Sequence, residues 1–397
     1  MSSDTTFIPL SVPCLGGRER EYLTSCVDDN WVSSVGPFVR RFEGAFAQHV
    51  GASHAIACAS GTAALHLAML AAGVEPGDLI LVSSLTFIAS VNAIRHAGAD
   101  PVLVDCHPGS WQMDMDRVSR FLMEECDTRE GTCRHRQSGR RVAGIVPVHI
   151  LGHGADLPAL LAIAARHHLV VVEDAAEALG VRIAGRHAGT FGRLGCFSFN
   201  GNKTITTGAG GMVVTDDRTL ADRVRHLSEQ AKLPGSEYVH DAVGYNYRMS
   251  NLHAAVGLAQ LEQLTGHLAA KRAIADRYAS AFAGRAGIGW IRPTEGVDPA
   301  WWLFTLTIDP AITGLTARQV MAHLKEQGIE SRPLWQPIHL SPAHTGALFL
   351  GGEVAERLYD QALSLPSSVG LSATDQDRVI ETITELLMSN QRRSNHA

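Results

Sequence analysis

No stretch of this sequence carries the ~18 consecutive apolar residues that a membrane-crossing helix needs, so no membrane partner is expected. Basic charge is not in excess either: 34 Lys and Arg stand against 40 Asp and Glu, for a formal charge of −6. Surfaces built for nucleic acid or anionic lipid need the opposite balance, which sets nucleic acid aside as a partner. Residues 1–6 lack the basic-then-apolar pattern of a secretion signal. The seven cysteines, at 14, 26, 58, 106, 126, 133 and 196, show no CxxC spacing. They read as reduced thiols, and a cytoplasmic location is expected. Cys126, Cys133 and His135 fit no zinc spacing, so no metal is expected. Apolar residues, at 45%, are plentiful over the 397 positions, enough for a sizeable core and two domains.

From residue 54 the pattern alternates. Short, almost fully apolar runs at 54–58, 79–82, 101–104, 142–148, 169–172 and 212–215 read as strands. Helical patterns separate them, at 61–73, 86–96, 113–125, 157–168 and 218–230, the fourth opened by Asp156 as N-cap with Pro158 in its first turn. Such units predict an α/β fold with a mostly parallel sheet covered on both faces. Ligands of such sheets sit at the carboxyl ends of the strands, a rim that takes in Ser60, residues 85–87, Asp105, His149 and Asp174. Helices at 251–265 and 267–282 follow, then a strand at 303–308 and a capping box from Thr316 to Gln319. A large domain at 1–265 and a smaller α/β domain at 266–397 are expected. The arginine-rich stretch 127–141 reads as a polar loop, either solvated or in reach of a diphosphate.

The stretch 195–211 holds one lysine, Lys203, among glycines and hydroxyl residues, with no acid in the segment. Two chemistries want such a lysine: a phosphate-cradling loop, or a Schiff base with pyridoxal phosphate. The first requires Gly, four residues, then Gly-Lys-Ser/Thr. Here five residues separate Gly195 from Gly201, and Asn202 stands before Lys203-Thr204. A GxGxxG after the first strand is also missing. The Schiff-base reading asks for a buried carboxylate against the ring nitrogen, and Asp174, ending an apolar run, is placed for it. Read alone, Asp174 is more often a capping or surface residue at a strand end. The phosphate asks for a helix N-terminus with hydroxyls, supplied by Ser60-Gly61-Thr62 and by Ser198. Phe87 is a candidate wall for the ring, or a core residue.

Six segments carry a family resemblance: Ala59-Ser-Gly-Thr-Ala-Ala-Leu65, Leu85-Thr-Phe-Ile-Ala-Ser90, Val148-His149, Glu173-Asp-Ala-Ala-Glu-Ala178, Phe197-Ser-Phe-Asn-Gly-Asn-Lys203 and Gly244-Tyr-Asn-Tyr-Arg-Met249. Together they resemble the DegT/StrS sugar aminotransferases, fold-type I pyridoxal phosphate enzymes with a large domain and a smaller C-terminal one. Trp31-Val-Ser-Ser-Val-Gly36, Phe199-Asn-Gly-Asn-Lys203, Arg332-Pro-Leu-Trp335 and Leu365-Pro-Ser-Ser-Val-Gly370 look like its LegC-type branch. The resemblance implies that Lys203 bonds the cofactor and Asp174 pairs with its ring nitrogen. Gly61, Thr62 and Ser198 would hold the phosphate, and Phe87 would stack on the ring. Asn246 would reach the neighbouring subunit's cofactor in a homodimer with shared sites. Glu177 stands where many members carry Gln or His, near an anionic cofactor oxygen that a carboxylate would repel, which leaves its role open.

By the same resemblance, L-glutamate is the amino donor and a nucleotide-linked 4-keto-6-deoxy sugar the acceptor. A UDP-linked N-acetylhexosamine for surface glycans comes first, and a GDP- or dTDP-linked perosamine-type sugar is the alternative. Ser33, Ser34, Arg248, Trp335 and His339 resemble positions near the nucleotide sugar, though loop solvation and inter-domain packing explain the serines and Trp335 as well. An amino-acid aminotransferase would want an arginine for a second carboxylate. A silent homologue would not need Lys203, Asp174 and Phe87 together.

Overall fold

Strands that are apolar at every position must bury both faces, and the computed structural model shows how. It describes residues 7–394, so the reading of residues 1–6 falls outside the described residues. Eight strands form the main sheet among these residues: β1 (His54–Cys58), β2 (Leu79–Ser83), β3 (Asp100–Val104), β4 (Val142–Val146), β5 (Val170–Asp174), β6 (Leu194–Ser198), β7 (Gly211–Thr215) and β8 (Leu348–Leu350). Their spatial order is β1-β7-β6-β5-β4-β2-β3-β8. Only β7 runs against its neighbours β1 and β6, so the carboxyl ends of β1 to β6 point to one rim.

Along β2 the side chains alternate between two cores. Ile80 and Val82 pack with the helices Gly61–Ala71, Ala89–His96 and Arg218–Ser228. Leu79 and Leu81 face Met115–Glu124 and Leu157–Arg166. A third cluster sets Ala55, Ala57, Phe197 and Met212 against Pro37–Val50 and Asn251–Glu262.

Two strands of the main sheet escape the sequence reading. β6 lies in what reads as the glycine-rich lysine segment, and β8 has three residues and joins β3 from far along the chain. The stretch 127–141 is not a loop: Cys126–Arg129 and Thr132–His135 form a hairpin. Glu130 and Gly131 turn it with positive φ of 48° and 73°, the geometry of a two-residue hairpin turn. Cys126, Cys133 and His135 point inward, an alternation masked by the run of charges. Four of its five arginines are spent on the protein, Arg134 bonding Gly139 O at 3.0 Å. Arg136 meets Asp127, Arg140 meets Asp100 and Arg141 meets Asp78.

After the main sheet, four short antiparallel strands, ordered Ile288–Trp290, Thr305–Ile308, Ala362–Ser364 and Arg332–Pro333, pack against Ala317–Glu326 and Ala373–Ser394. The position 265/266 lies within the helix Leu264–Phe282, whose Tyr278 and Phe282 belong to this second core. Chain also crosses between the two cores, since Ile8 bridges Ile329 and β8 returns to the main sheet.

Candidate active site

The ends of β1, β2, β4, β5 and β6, with the residues just after them, and one tryptophan pair enclose a cavity of ≈ 260 Å³ on the carboxyl rim. From β1 the chain turns at Ser60 into the helix Gly61–Ala71. The Ser60 hydroxyl accepts from Ala63 N at 3.0 Å and caps that helix. The N–H groups of Gly61 and Thr62 therefore stand at the cavity wall without an intrahelical acceptor, a ready anion site. A side chain at Gly61 is barred by a close approach, because a Cβ there would meet Ser198 Cβ, at the end of β6, at 2.8 Å.

Asp174 ends β5 and is buried. Its Oδ2 accepts from Ser90 Oγ at 2.6 Å and its Oδ1 from Ala176 N at 3.0 Å. No cation among the described residues pairs with it directly. Burial pushes its carboxyl above the ordinary value, with Ser90, Ala176 and Lys203 pulling the other way. Such a group is poised for a positively charged partner. Ser90 is a functional residue that sequence reasoning missed. It reads as a small helix residue, and only packing shows that it orients the carboxylate.

Lys203 is not without an acid. Its Nζ lies 3.4 Å from Glu177 Oε1, while Glu177 Oε2 accepts from Leu151 N at 2.8 Å. Burial raises the Glu177 carboxyl, and the charge of Lys203 opposes this. The same Nζ sits 3.8 Å above the ring of Trp302, whose Nε1 donates to Asn202 O at 2.7 Å. Trp302 was not foreseen, although the doublet Trp301-Trp302 is conspicuous in a chain with six tryptophans. Trp302 in turn stacks on Trp335, with centroids 6.3 Å apart and planes 6° from parallel.

The cavity gathers Lys203, Asp174, Glu177, Ser198, Gly61, Thr62, Phe87 and Trp335. Phe87, 52% exposed, stands at the rim, not in the core. Other candidates lie elsewhere in the chain. Arg248 is half-buried and its side chain is committed: it meets Glu43 at 2.8 Å, Ala57 O at 3.1 Å and Glu229 at 3.1 Å. His339 bonds Ser84 and Glu356 and stacks on Phe349, outside the cavity lining. Ser33 and Ser34 are on an exposed loop that caps Asn251 through the Ser33 carbonyl. Asn246 is bridged to Glu229, also outside the cavity. His149 is a strand-end residue. Its Nδ1 accepts from Ala155 N, and its Nε2 bonds Glu173, a carboxylate that also takes the N–H groups of Gly189, Phe191 and Gly192.

A lysine, a buried aspartate and a helix N-terminus in one cavity suit a phosphorylated carbonyl cofactor, and comparison with known proteins agrees. The profile of the DegT/DnrJ/EryC1/StrS aminotransferase family matches residues 13–384. The chain is 40% identical to a GDP-perosamine synthase of Caulobacter vibrioides, covering 97% of this chain and 100% of that one. It is 37% identical to a GDP-perosamine synthase of Escherichia coli O157:H7, over 96% and 98%. Among solved structures, DesV of S. venezuelae superposes with a TM-score of 0.82 at 33% identity, covering 93% of this chain and 94% of that one.

Proposed function

The chain belongs to the DegT/DnrJ/EryC1/StrS aminotransferase family, and from that premise we propose that it moves an amino group from L-glutamate to a GDP-linked, perosamine-type 4-keto-6-deoxy sugar. It is a pyridoxal phosphate-dependent sugar aminotransferase. The amino transfer is carried by one observation, the meeting of Lys203 and the buried, cation-free Asp174 in a single cavity. The choice of acceptor is supported by the relatives named for GDP-perosamine. They weigh toward this sugar over the UDP-linked N-acetylhexosamine that the LegC-like segments led us to expect.

The cavity residues fit the cofactor. Asp174 offers an uncompensated buried charge to a protonated ring nitrogen, and the Gly61 and Thr62 N–H groups with the Ser198 hydroxyl suit its phosphate. Bound pyridoxal phosphate supplies an aldehyde that takes up an amino group and gives it to a ketone. The chain supplies the rest. Lys203 Nζ is placed to take a proton from the substrate carbon and to return it. Glu177 Oε1 orients that amine, and the Leu151 N–H fixes Glu177. The stacked Trp302 and Trp335 rings wall the cavity against water.

Assembly as a homodimer, with Asn246 serving the partner's site, belongs to the same proposal. Exposed apolar side chains support it: Trp31, Val32 and Val35 on the Ser33 loop, and Tyr238, Val239 and Val243 before Asn246. Mixing Lys203→Ala with Asn246→Ala subunits tests the sharing. One intact site forms in each mixed dimer, so random exchange restores about a quarter of wild-type activity. No recovery after verified exchange would refute a shared site.

For the acceptor, UDP-, GDP- and dTDP-linked 4-keto-6-deoxy sugars are offered with L-glutamate while 2-oxoglutarate is followed. The GDP-linked sugar should win in kcat/KM by at least about tenfold, the lower end of what a single methylene-sized contact gives. Turnover confined to UDP-linked N-acetylated sugars overturns the acceptor. Visible absorbance that L-glutamate does not bleach overturns the donor.

A further inference from the structure

One cation inside the protein has no place in the chemistry described so far. Lys271, on the helix Leu264–Phe282, is 2% exposed. No carboxylate among the described residues pairs with it. Its Nζ donates instead to two main-chain carbonyls, Trp302 O at 3.0 Å and Ser367 O at 2.9 Å. Desolvation lowers its amine to about 8, a sign of what burial costs this group. A buried charge on that scale is retained only where its hydrogen bonds are hard to supply otherwise. Two carbonyls from segments far apart in sequence need one donor with several N–H groups, which a lysine provides and a neutral apolar residue does not.

The two segments converge on the same place. Trp302 covers Lys203 Nζ and bonds Asn202 O, the carbonyl next to Lys203. Ser367 N donates to Leu10 O, and the neighbouring Ser11 hydroxyl donates to that same Asn202 O. The main chain at Trp302 also needs holding. Trp301 has a φ of +51°, costly for a bulky residue, and a side chain at Gly152 would meet Trp302 N at 2.6 Å. Beside it, Ala300 N donates to Gly152 O at 2.9 Å. Trp302 therefore lies in a strained, closely packed seam, and Lys271 bonds its carbonyl from behind.

We infer that Lys271 is a positioning residue of the amino transfer: by holding the Trp302 main chain to the Ser367 segment, it keeps the indole over Lys203 Nζ. The inference rests on Lys203 acting in amino transfer, but not on the identity of the sugar. The half-reaction with L-glutamate alone is therefore followed, as loss of the cofactor's visible absorbance. Lys271→Met is expected to slow it at least about tenfold while the KM for L-glutamate stays within about twofold, the pattern of a group acting on the reacting state. In a Trp302→Ala background there is no ring left to misplace. There the same substitution should slow the reaction by less than about twofold.

Equal slowing in both backgrounds, or no slowing at all, overturns the inference. Near-ultraviolet circular dichroism of the cofactor-free protein gives a second arm. Lys271→Met should lose part of the tryptophan signal that Trp302→Ala removes, and an unchanged spectrum refutes the displacement. Should the Met variant not fold, Lys271→Gln, which keeps one amide donor, goes through the same cycle under the same criteria. A wild-type enzyme that L-glutamate leaves unchanged fails the donor reading, while the dichroism still decides on Lys271.

Discussion

Lys203→Ala loses amino transfer by at least about 10⁴-fold in kcat, the upper end of what a positioned acid–base group supplies. No stand-in exists, because Lys203 is the sole Lys, Arg or His lining the cavity among the described residues. Lys271 is spent on two carbonyls behind the Trp302 main chain. The expected result has a spectroscopic half: the lysine-bound cofactor's visible absorbance disappears together with L-glutamate-dependent formation of 2-oxoglutarate. Lys203→Arg separates charge from proton transfer. A guanidinium can still meet Glu177 and lie over Trp302, but it does not release its proton in the working pH range, so this variant stays inactive as well. An alanine variant that keeps both the absorbance and the turnover would remove Lys203 from the mechanism.

Asp174→Asn is expected to cost about 10² to 10³-fold, the scale of losing one preorganised electrostatic partner. The amide keeps the shape: its oxygen can accept from Ala176 N while its NH2 donates to the Ser90 hydroxyl, so the loss falls chiefly on the charge. Stability should move the other way. The Asp174 carboxyl is raised by burial in the folded chain, so the folded state holds the proton to higher pH than the unfolded one. Between the unfolded value, near 3.8, and the raised folded value, the cofactor-free wild type therefore loses stability as pH rises. The asparagine variant lacks this component of the slope. Above that window it should be at least as stable as the wild type, with its activity lowered as stated. Denaturant unfolding across the pH series, set beside kcat, checks both halves. A variant with full activity, or one destabilised at neutral pH, contradicts the role assigned to Asp174.

Much of the main sheet was legible because its strands are short apolar runs, each ended by a turn. Ser60-Gly61-Thr62 and Asp174 could be placed for that reason: each ends or follows such a run, and the parallel strands among them send their carboxyl ends to one rim, whereas Ser198 drew notice only by standing close to Lys203 in sequence. β6 was hidden by its own glycine and hydroxyl content, and the hairpin at 126–135 by the charges between its inward residues. Arg248 and His339 were named by resemblance as positions near the nucleotide sugar, and nothing in the sequence shows the acids they meet. Their partners, Glu43, Glu229 and Glu356, lie far from them along the chain.

Composition, the alternation of elements and a handful of motif residues determined the fold class, the cofactor chemistry and the lysine proposed to perform it. These are local properties, written within a few residues of each other. Around Lys203 itself the segment holds no acid, and taken alone that makes it a lysine without a partner. Folding supplied Glu177 at 3.4 Å and the Trp302 ring at 3.8 Å, and behind them Ser90, Leu151 and Lys271. Only the tertiary structure decided this surrounding, because strand ends converge in space whatever their separation in sequence, and no pattern within one segment records which of them will meet.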